Sequence, residues 1–308
     1  MKSNNYIFTD EPLDYLISTG LHCIHKDYVE YLTGNSIENV AQTTPEKRNY
    51  KIGIIIPNYN YGEWIDKCLT SIARQTYGNF EIIFVDDMST DDSVKIAKTF
   101  EDRIDIKIIE LKQKRYNGGA RNEGYLHLSD DVEYVWYVDS DDWLKDDRVL
   151  ERINDKLQGS PDVLFVGLAV DVNGIETSYY IQNYFDRYQA IEGWSGSSGK
   201  VIKKELATSQ LYQEGTLKED RTQHYKICLN MKSFKCLPEI VYIWNKNNAK
   251  SVSTERNAKW KTDTIRNYAD ALEIYELYKG KDVKMDSILM SRVVNCKNEL
   301  EINGDSQQ

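Results

Sequence analysis

Ile52-Gly53-Ile54-Ile55-Ile56-Pro57-Asn58-Tyr59-Asn60 is the stretch that decides how this chain is read. Ile52, Ile54, Ile55 and Ile56 are apolar without strict alternation, the pattern of a strand buried on both faces, and Pro57 is expected to stop it. A helical stripe follows in Trp64, Ile65, Cys68, Leu69, Ile72 and Ala73. Phe80-Glu81-Ile82-Ile83-Phe84-Val85 reads as a second strand, with Ser89 or Thr90 placed to cap a helix bearing Val94, Ile96, Ala97 and Phe100. Ile106 to Ile109 reads as a third strand and Ala120 to Leu128 as a helix. Val135 to Val138 reads as a fourth strand and Asp162 to Leu168 as a fifth. Strands alternating with helices at this rhythm predict an α/β fold with a mostly parallel sheet and right-handed crossovers.

Ligands of such sheets bind outside the carboxyl ends of the strands. Three polar motifs fall there: Pro57-Asn58-Tyr59-Asn60, Asp86-Asp87, and Asp139-Ser140-Asp141-Asp142. Carboxylates leaving an apolar strand are costly to desolvate unless a cation or donors meet them. Asp139 and Asp141, two apart, share a side if the segment is extended, and hard oxygen ligands suit Mg²⁺ or Mn²⁺. An acidic turn reads equally from these residues. Asp86-Asp87 likewise fits a helix cap with an acidic first turn.

The 308 residues carry a formal net charge of -10, against the basic footprint that nonspecific nucleic-acid binding needs. Nucleic acid is therefore not expected as a partner. No run reaches the length of a membrane span, and no charged-then-apolar signal peptide opens the chain. The five cysteines (Cys23, Cys68, Cys228, Cys236, Cys296) are odd in number and scattered, with neither metal-ligand spacing nor a disulfide framework. A reduced, cytoplasmic protein is the expectation, free or peripheral at the inner face of the membrane.

Residues 1–49 read as an N-terminal helical extension with a linker at Gln42 to Lys47, the helix resting on Leu13, Leu16, Ile17, Leu21, Ile24 and Tyr28. After Asp171 the pattern loosens, then resumes as a helix from Lys218 to Met231 and a strand at Ile240 to Trp244. Residues 254–308 read as a C-terminal helical region. One helix there carries Ile265, Tyr268, Leu272 and Tyr275 and ends at Gly280; a second spans Asp282 to Leu300, before a frayed tail from Gly304. These helical ends are candidate oligomer contacts.

Lys51 to about Ser253 resembles the family-2 inverting glycosyltransferases of the GT-A fold, particularly bacterial types that build surface polysaccharide or teichoic acid. The resemblance rests on motifs in order. Ile55 to Asn60 is similar to the opening nucleotide-contact strand end. Phe84-Val85-Asp86-Asp87-Met88-Ser89-Thr90-Asp91 is similar to the Asp-Asp-Gly-Ser element, with Met88 where Gly is usual. Asn117-Gly118-Gly119-Ala120-Arg121-Asn122 resembles the Gly-rich Ala-Arg-Asn segment. Asp139-Ser140-Asp141 resembles the metal-binding Asp-X-Asp, and Leu217-Lys218-Glu219-Asp220 the later Glu-Asp pair. The resemblance implies a GT-A, Rossmann-like catalytic domain over 50–253, with a nucleotide-binding half (50–142) and an acceptor half (143–253).

It further implies divalent-metal-dependent transfer of a sugar from a UDP-sugar to a hydroxyl of a glycan or polyol-phosphate polymer, with inversion. In that reading Asp86 accepts from the uracil N3–H and the Pro57–Tyr59 backbone lines the base. Asp139 reaches the ribose or a metal-bound water, Asp141 ligates Mn²⁺ or Mg²⁺, and Asp220 is the general base. Asn117 and Arg121 face the donor, although Arg121 reads still better as the structural partner of a sheet-end carboxylate. Trp194, in the Gly193–Gly199 loop, is placed to stack on the donor sugar or the acceptor. His224, one helical turn after Asp220, reads as packing rather than as a third ligand. No Gln-X-X-Arg-Trp motif of processive synthases is present, which points to single-sugar transfer. Two alternatives stand beside this reading: a noncatalytic sugar- or partner-binding protein on the same scaffold, and a glycosyltransferase acting on modified DNA.

Overall fold

The computed structural model describes Ile7–Thr9, Cys23–His25 and residues 47–208, 212–217, 219–249 and 258–304. The chain divides into two compact units, Met1–Lys47 and Arg48–Gln308. In the first, β1 (Ile7–Thr9) pairs in parallel with β2 (Cys23–His25). The expected N-terminal helix is therefore interrupted at Cys23–His25, where Ile24, taken as part of a helical stripe, lies in a strand. The rest of that helix, the linker at 42–46 and the tail after Gly304 lie outside the described residues.

The second unit is built on a nine-stranded sheet. Its elements are β3 (Ile52–Asn58), α1 (Gly62–Ala73), β4 (Phe80–Asp86), α2 (Ser93–Lys98), β5 (Ile106–Glu110), α3 (Tyr116–Leu126), β6 (Tyr134–Tyr137), β7 (Trp143–Leu144), α4 (Val149–Leu157), β8 (Val163–Val172), β9 (Ile175–Tyr180), α5 (Arg187–Glu192), β10 (Lys200–Lys203), α6 (Lys204–Thr208), α7 (Glu219–Asn230), β11 (Phe234–Asn245), α8 (Ala258–Tyr278) and α9 (Val283–Gly304). The strand order is β5-β4-β3-β6-β10-β8-β11-β7, with β9 paired to β8. β5, β4, β3 and β6 are mutually parallel and β8 is parallel to β11, whereas β10, β7 and β9 pair antiparallel.

Both faces of the sheet are covered, which explains its unalternating strands. Ile52, Ile54, Ile56, Tyr134, Trp136 and Val138 face one core with α1 and α4, whose Ile65, Leu69, Leu150 and Ile153 are fully buried. Ile55, Val135 and Tyr137 face the other, with Ala120 of α3 and Ile227 of α7. On that second face a Cβ at Gly124 of α3 would lie 2.5 Å from Ile55, so glycine lets the helix settle on β3.

Several boundaries depart from expectation for identifiable reasons. β3 continues through Pro57, because the position of its missing N–H faces β6 beyond the last β3–β6 pair, Ile55 with Tyr137, and no ladder bond is lost. α3 starts at Tyr116, not Ala120, so Gly118 and Gly119 lie inside a helix; at Gly118 a Cβ would lie 2.4 Å from the Gln213 carbonyl oxygen. β11 begins at Phe234, six residues early, because the strand absorbs Pro238 in a register shift between Leu237 and Ile240. Neither Ser89 nor Thr90 caps α2; the Asp91 carboxylate accepts the Ser93 N–H at 3.0 Å. Among the described residues no helix is long and apolar enough to cross a membrane.

Met88 takes φ +67° and is about half exposed, a left-handed backbone that L side chains adopt only at a cost. Met88→Gly is therefore expected to stabilise the protein by about 0.5–1 kcal/mol, the strain relieved less the extra entropy of an unfolded glycine. Urea unfolding of the two proteins measures it, and a less stable glycine variant would contradict this account of the turn.

Candidate active site

The strand order reverses between β3 and β6, and a cavity of about 210 Å³ opens at their carboxyl ends. Pro57, Asn117, Arg121, Asp139, Asp141, Trp194 and Asp220 all line it, joined by Glu219, Ser197 and Trp244. Asn58, Tyr59 and Asp86 do not line this cavity and belong to the neighbouring ends of β3 and β4. Asn58 Nδ2 donates to Asp86 Oδ1 at 2.8 Å and the Ser89 N–H to Asp86 Oδ2 at 2.8 Å. Asp86 thus clamps its own turn with one bond on each oxygen, leaving each oxygen a further lone pair. Asp87 is buried and receives the Arg115 and Tyr116 N–H groups at 2.7 Å each, so it caps α3 across space instead of opening the next helix. The exposed Tyr59 ring lies under Lys114, whose Nζ is 2.7 Å from the ring centroid and 3.2 Å from Asp87.

Arg121 sits at the centre. It is mid-helix, so its backbone N–H is spent within α3 and its side chain, fully buried, does the work. One terminal nitrogen meets Asp139 at 2.7 Å; the other bonds Glu219 and meets Asp220 at 3.1 Å. The Tyr212 ring lies 5.1 Å from the guanidinium carbon. Burial opposes the arginine's charge, but Asp220, Asp139 and Glu219 together outweigh it and hold its proton well above the ordinary range. Burial, reinforced by the Asp220 charge, pushes the Glu219 carboxyl up to about 7 against the pull of Arg121.

Asp139 to Asp142 form a turn, closed by the Asp142 N–H donating to the Asp139 carbonyl at 3.0 Å, rather than the extended segment the two-residue spacing suggested. Asp139 and Asp141 nevertheless both face the cavity. Asp142 turns back to β11: Tyr242 Oη donates to one of its oxygens at 2.5 Å and the Asn245 N–H to the other at 2.8 Å. The same Tyr242 Oη accepts the Asp139 N–H at 3.1 Å, so β11 holds the turn in place. Asn248 donates to Asp141 Oδ2 at 2.8 Å.

Burial first, then the Asp139 charge, push the Asp141 carboxyl up to about 6, and Asp139 itself is raised by burial against Arg121. Ser140 Oγ is buried beside them with no protein partner among the described residues. Such undercompensated carboxyl groups facing a cavity fit a hard divalent cation. Among the described residues no three His, Cys, Asp or Glu side chains converge as a metal cage. The donor set therefore suits an ion that shares its coordination with phosphate oxygens.

Opposite the turn, Asp220 opens α7. Its Oδ1 accepts from both Ser197 Oγ and Arg121, and Ser197 in turn accepts from Tyr212 Oη at 2.7 Å. Asp220 Oδ2 has no protein hydrogen bond among the described residues. Trp194 forms a wall with Trp244 and Tyr180, ring centroids 5.1 and 4.6 Å away. A Cβ at Gly196 would lie 2.4 Å from the Trp194 indole nitrogen, so the loop glycine admits the ring. His224 lies fully buried off the cavity, Nε2 3.2 Å from the Ile191 carbonyl oxygen, and burial pushes its pKa well below 6.5.

Sequence reasoning singled out the loop that carries Ser197 but not its bond to Asp220, and missed Tyr212, Trp244 and Asn248 as site residues. Tyr212 comes from a segment with no periodic signal and Trp244 from the far half of the sheet. Asn248 follows a recognised strand, and its position at a strand end was the available clue.

A family model described as "Glycosyl transferase family 2" matches residues 53–216, ending four residues before Asp220. Among curated proteins, glycosyltransferase GlyA of Streptococcus pneumoniae is 30% identical over 232 residues, covering 67% of this chain and 32% of that protein. Glycosyltransferase GlyG of the same organism is 26% identical over 263 residues, covering 79% and 85%. The chain thus spans about a third of the length of GlyA and most of GlyG. The crystal structure of Staphylococcus aureus TarS 1–349 in complex with UDP-GlcNAc superposes with a TM-score of 0.68 at 21% identity, over 80% of this chain and 72% of that one, and shares the GT-A fold.

Glu219 gives this site a pH signature. Its carboxyl keeps a proton up to about pH 7 when folded but only to its ordinary 4.5 when unfolded. Between those values the unfolded chain binds fewer protons, so this contribution to stability is present at low pH and is lost as pH rises through about 7. Glu219→Gln, measured by urea unfolding from pH 5 to 8 with chelator present, is expected to lose that part of the slope. An unchanged pH profile would mean that Glu219 does not titrate in this window.

Proposed function

The chain belongs to glycosyl transferase family 2, and on that premise we propose that it is an inverting glycosyltransferase that moves a sugar from a UDP-sugar to an acceptor hydroxyl. The observation that carries the reading is the pairing of one buried guanidinium with carboxylates on both sides of the cavity, Asp139 on the turn and Asp220 on α7. Donor-side and acceptor-side groups are thereby held at a fixed separation, which a displacement reaction requires.

In this reading the nucleotide lies over the ends of β3 and β4, with Pro57, Asn58 and Tyr59 along the base. Asp86 uses a remaining lone pair for the uracil N3–H. Asn117 and Asp139 flank the ribose and diphosphate. Asp141, with Asp139, would hold Mn²⁺ or Mg²⁺, which when bound offsets negative charge on the diphosphate. Trp194 and Trp244 offer aromatic faces for the C–H surface of a pyranose.

Asp220 Oδ2 takes the proton of the acceptor hydroxyl as its oxygen bonds to the anomeric carbon. The bond from that carbon to the diphosphate oxygen breaks on the opposite side, its electron pair leaving with UDP, and the configuration inverts. Ser197 and Arg121 fix Asp220 through Oδ1, so Oδ2 is aimed without a change of rotamer. A glycan or polyol-phosphate polymer is the acceptor class we favour, since TarS is named a poly(ribitol-phosphate) β-N-acetylglucosaminyltransferase.

Two substitutions separate the roles. Asp220→Asn keeps the Oδ1 hydrogen bonds and is expected to bind UDP-sugar normally while transfer falls by about 10²–10⁴-fold. Full transfer by that variant would remove Asp220 as the base. Asp141→Ala is expected to abolish the rise in melting temperature that Mn²⁺ adds to UDP. An unchanged rise would move the metal elsewhere.

A further inference from the structure

The loop that delivers Asp220 has little regular structure of its own. Residues 212–217 run from Tyr212 to the start of α7 with Gly215 at φ +70°. Its backbone polar groups are met from outside: Tyr212 by Asn122 of α3, the Gly215 N–H by the Arg115 carbonyl, and the stretch nearest Asp220 by α8. The Leu217 N–H, two residues before Glu219, donates to Asp263 Oδ2 at 2.8 Å. Asp263 is completely buried, and its other oxygen receives Lys259 Nζ at 3.3 Å. Lys259 Nζ also bonds the Gly215 carbonyl and lies 4.4 Å from the centre of the Tyr116 ring at the start of α3. Two turns further along α8, Asp270 accepts from Thr222 Oγ1 of α7 at 3.1 Å and Gln213 Nε2 at 3.4 Å.

Three levels of α8 thus hold the segment before Asp220 and the residue two places after it. At this surface Asp263 has both oxygens met, whereas Asn267 of α8 and Gln223 of α7, as deeply buried, have side-chain polar atoms without a hydrogen-bond partner among the described residues. Apolar faces slide at small cost, whereas buried donors and acceptors must keep their partners and so fix register.

We infer that α8 is a positioning element for the acceptor side of the site, with Asp263 as its key residue: it sets where Asp220 sits by holding the Leu217 backbone amide. This rests on the reading of Asp220 as the general base. Asp263 touches no reacting atom and acts through the loop. Its loss lowers the rate of transfer while the nucleotide, held at the far ends of β3 and β4, binds as before.

The test uses the full chain and a UDP-sugar that the wild type turns over. Asp263→Asn retains an acceptor for the Leu217 N–H, and transfer is expected to stay within about threefold of wild type. Asp263→Leu removes the acceptor, and kcat is expected to fall by about tenfold or more, with KM for the donor and UDP affinity by calorimetry unchanged. A wild-type kcat in Asp263→Leu overturns the inference, as does an equal fall in UDP affinity, which would indicate general loosening. If Asp263→Leu does not fold, Lys259→Met, which leaves the Gly215 carbonyl only its 3.4 Å bond from Arg266 and Asp263 Oδ1 without its lysine, carries the same expectation in weaker form, and an unchanged kcat there overturns it.

A double variant separates this inference from the reading beneath it. In an Asp220→Asn background, Asp263→Leu should cost no further activity, because there is no base left to position. A further multiplicative loss would show Asp263 acting elsewhere. An Asp220→Asn enzyme that is fully active would sink the base assignment itself.

Discussion

Everything in the cavity depends on one buried charge. Arg121 has almost no exposure, and its guanidinium is acceptable there only because Asp139, Glu219 and Asp220 surround it. Burial of the ions costs several kcal/mol, so the cluster is not a device for stability, and breaking it from one side leaves uncompensated charge worth about 3–5 kcal/mol. What it provides is geometry. The planar fork of an arginine reaches two sides at once, which a lysine cannot do. A residue of α3 therefore fixes the spacing between a turn at the end of β6 and the first turn of α7, which begins nearly a hundred residues after it.

The neighbouring groups extend the same principle outward. Tyr242 ties Asp142 and the Asp139 amide to β11, Ser197 and Tyr212 hold the second face of Asp220, and α8 holds the loop beneath it. Lys200, buried beside these groups and pushed by burial down to about 8, donates to the Ser195 and Gly196 carbonyl oxygens and so anchors the loop that carries Trp194 and Ser197. Asp139, Asp141 and Asp220 each have one oxygen committed to the protein, while Asp142 beside them has both. Asp220 and Asp139 keep the second oxygen clear of protein hydrogen bonds among the described residues, which is what a base or a ligand needs.

The alternation of doubly buried strands and amphipathic helices was legible from residue 52 onward, because both signals are local: side-chain period and face. The acidic motifs were legible too, as polar runs that close the strands β4 and β6. The misses share a cause. Pro57 and Pro238 were read as punctuation, but each falls where the sheet can do without its N–H or shift register. The helix was expected to start only after Gly118 and Gly119, but α3 begins at Tyr116 and uses both glycines to approach the 212–213 backbone and Arg115. Whether a proline or glycine ends an element depends on what lies next to it, and that is not a local property.

For the site, the sequence alone determined which residue types stand at the ends of which strands, and through motif resemblance it determined the family. It could not say that Asp139 and Asp141 meet the cavity from a turn instead of a strand, nor that Asp87 caps a helix 29 residues later. The pairing of Arg121 with carboxylates was foreseen as a type of contact. Its actual partners, three side chains from two distant segments, were not. Ion pairs and hydrogen bonds between segments are set by the path of the backbone through space, and only the packed fold decides which charges share one buried centre.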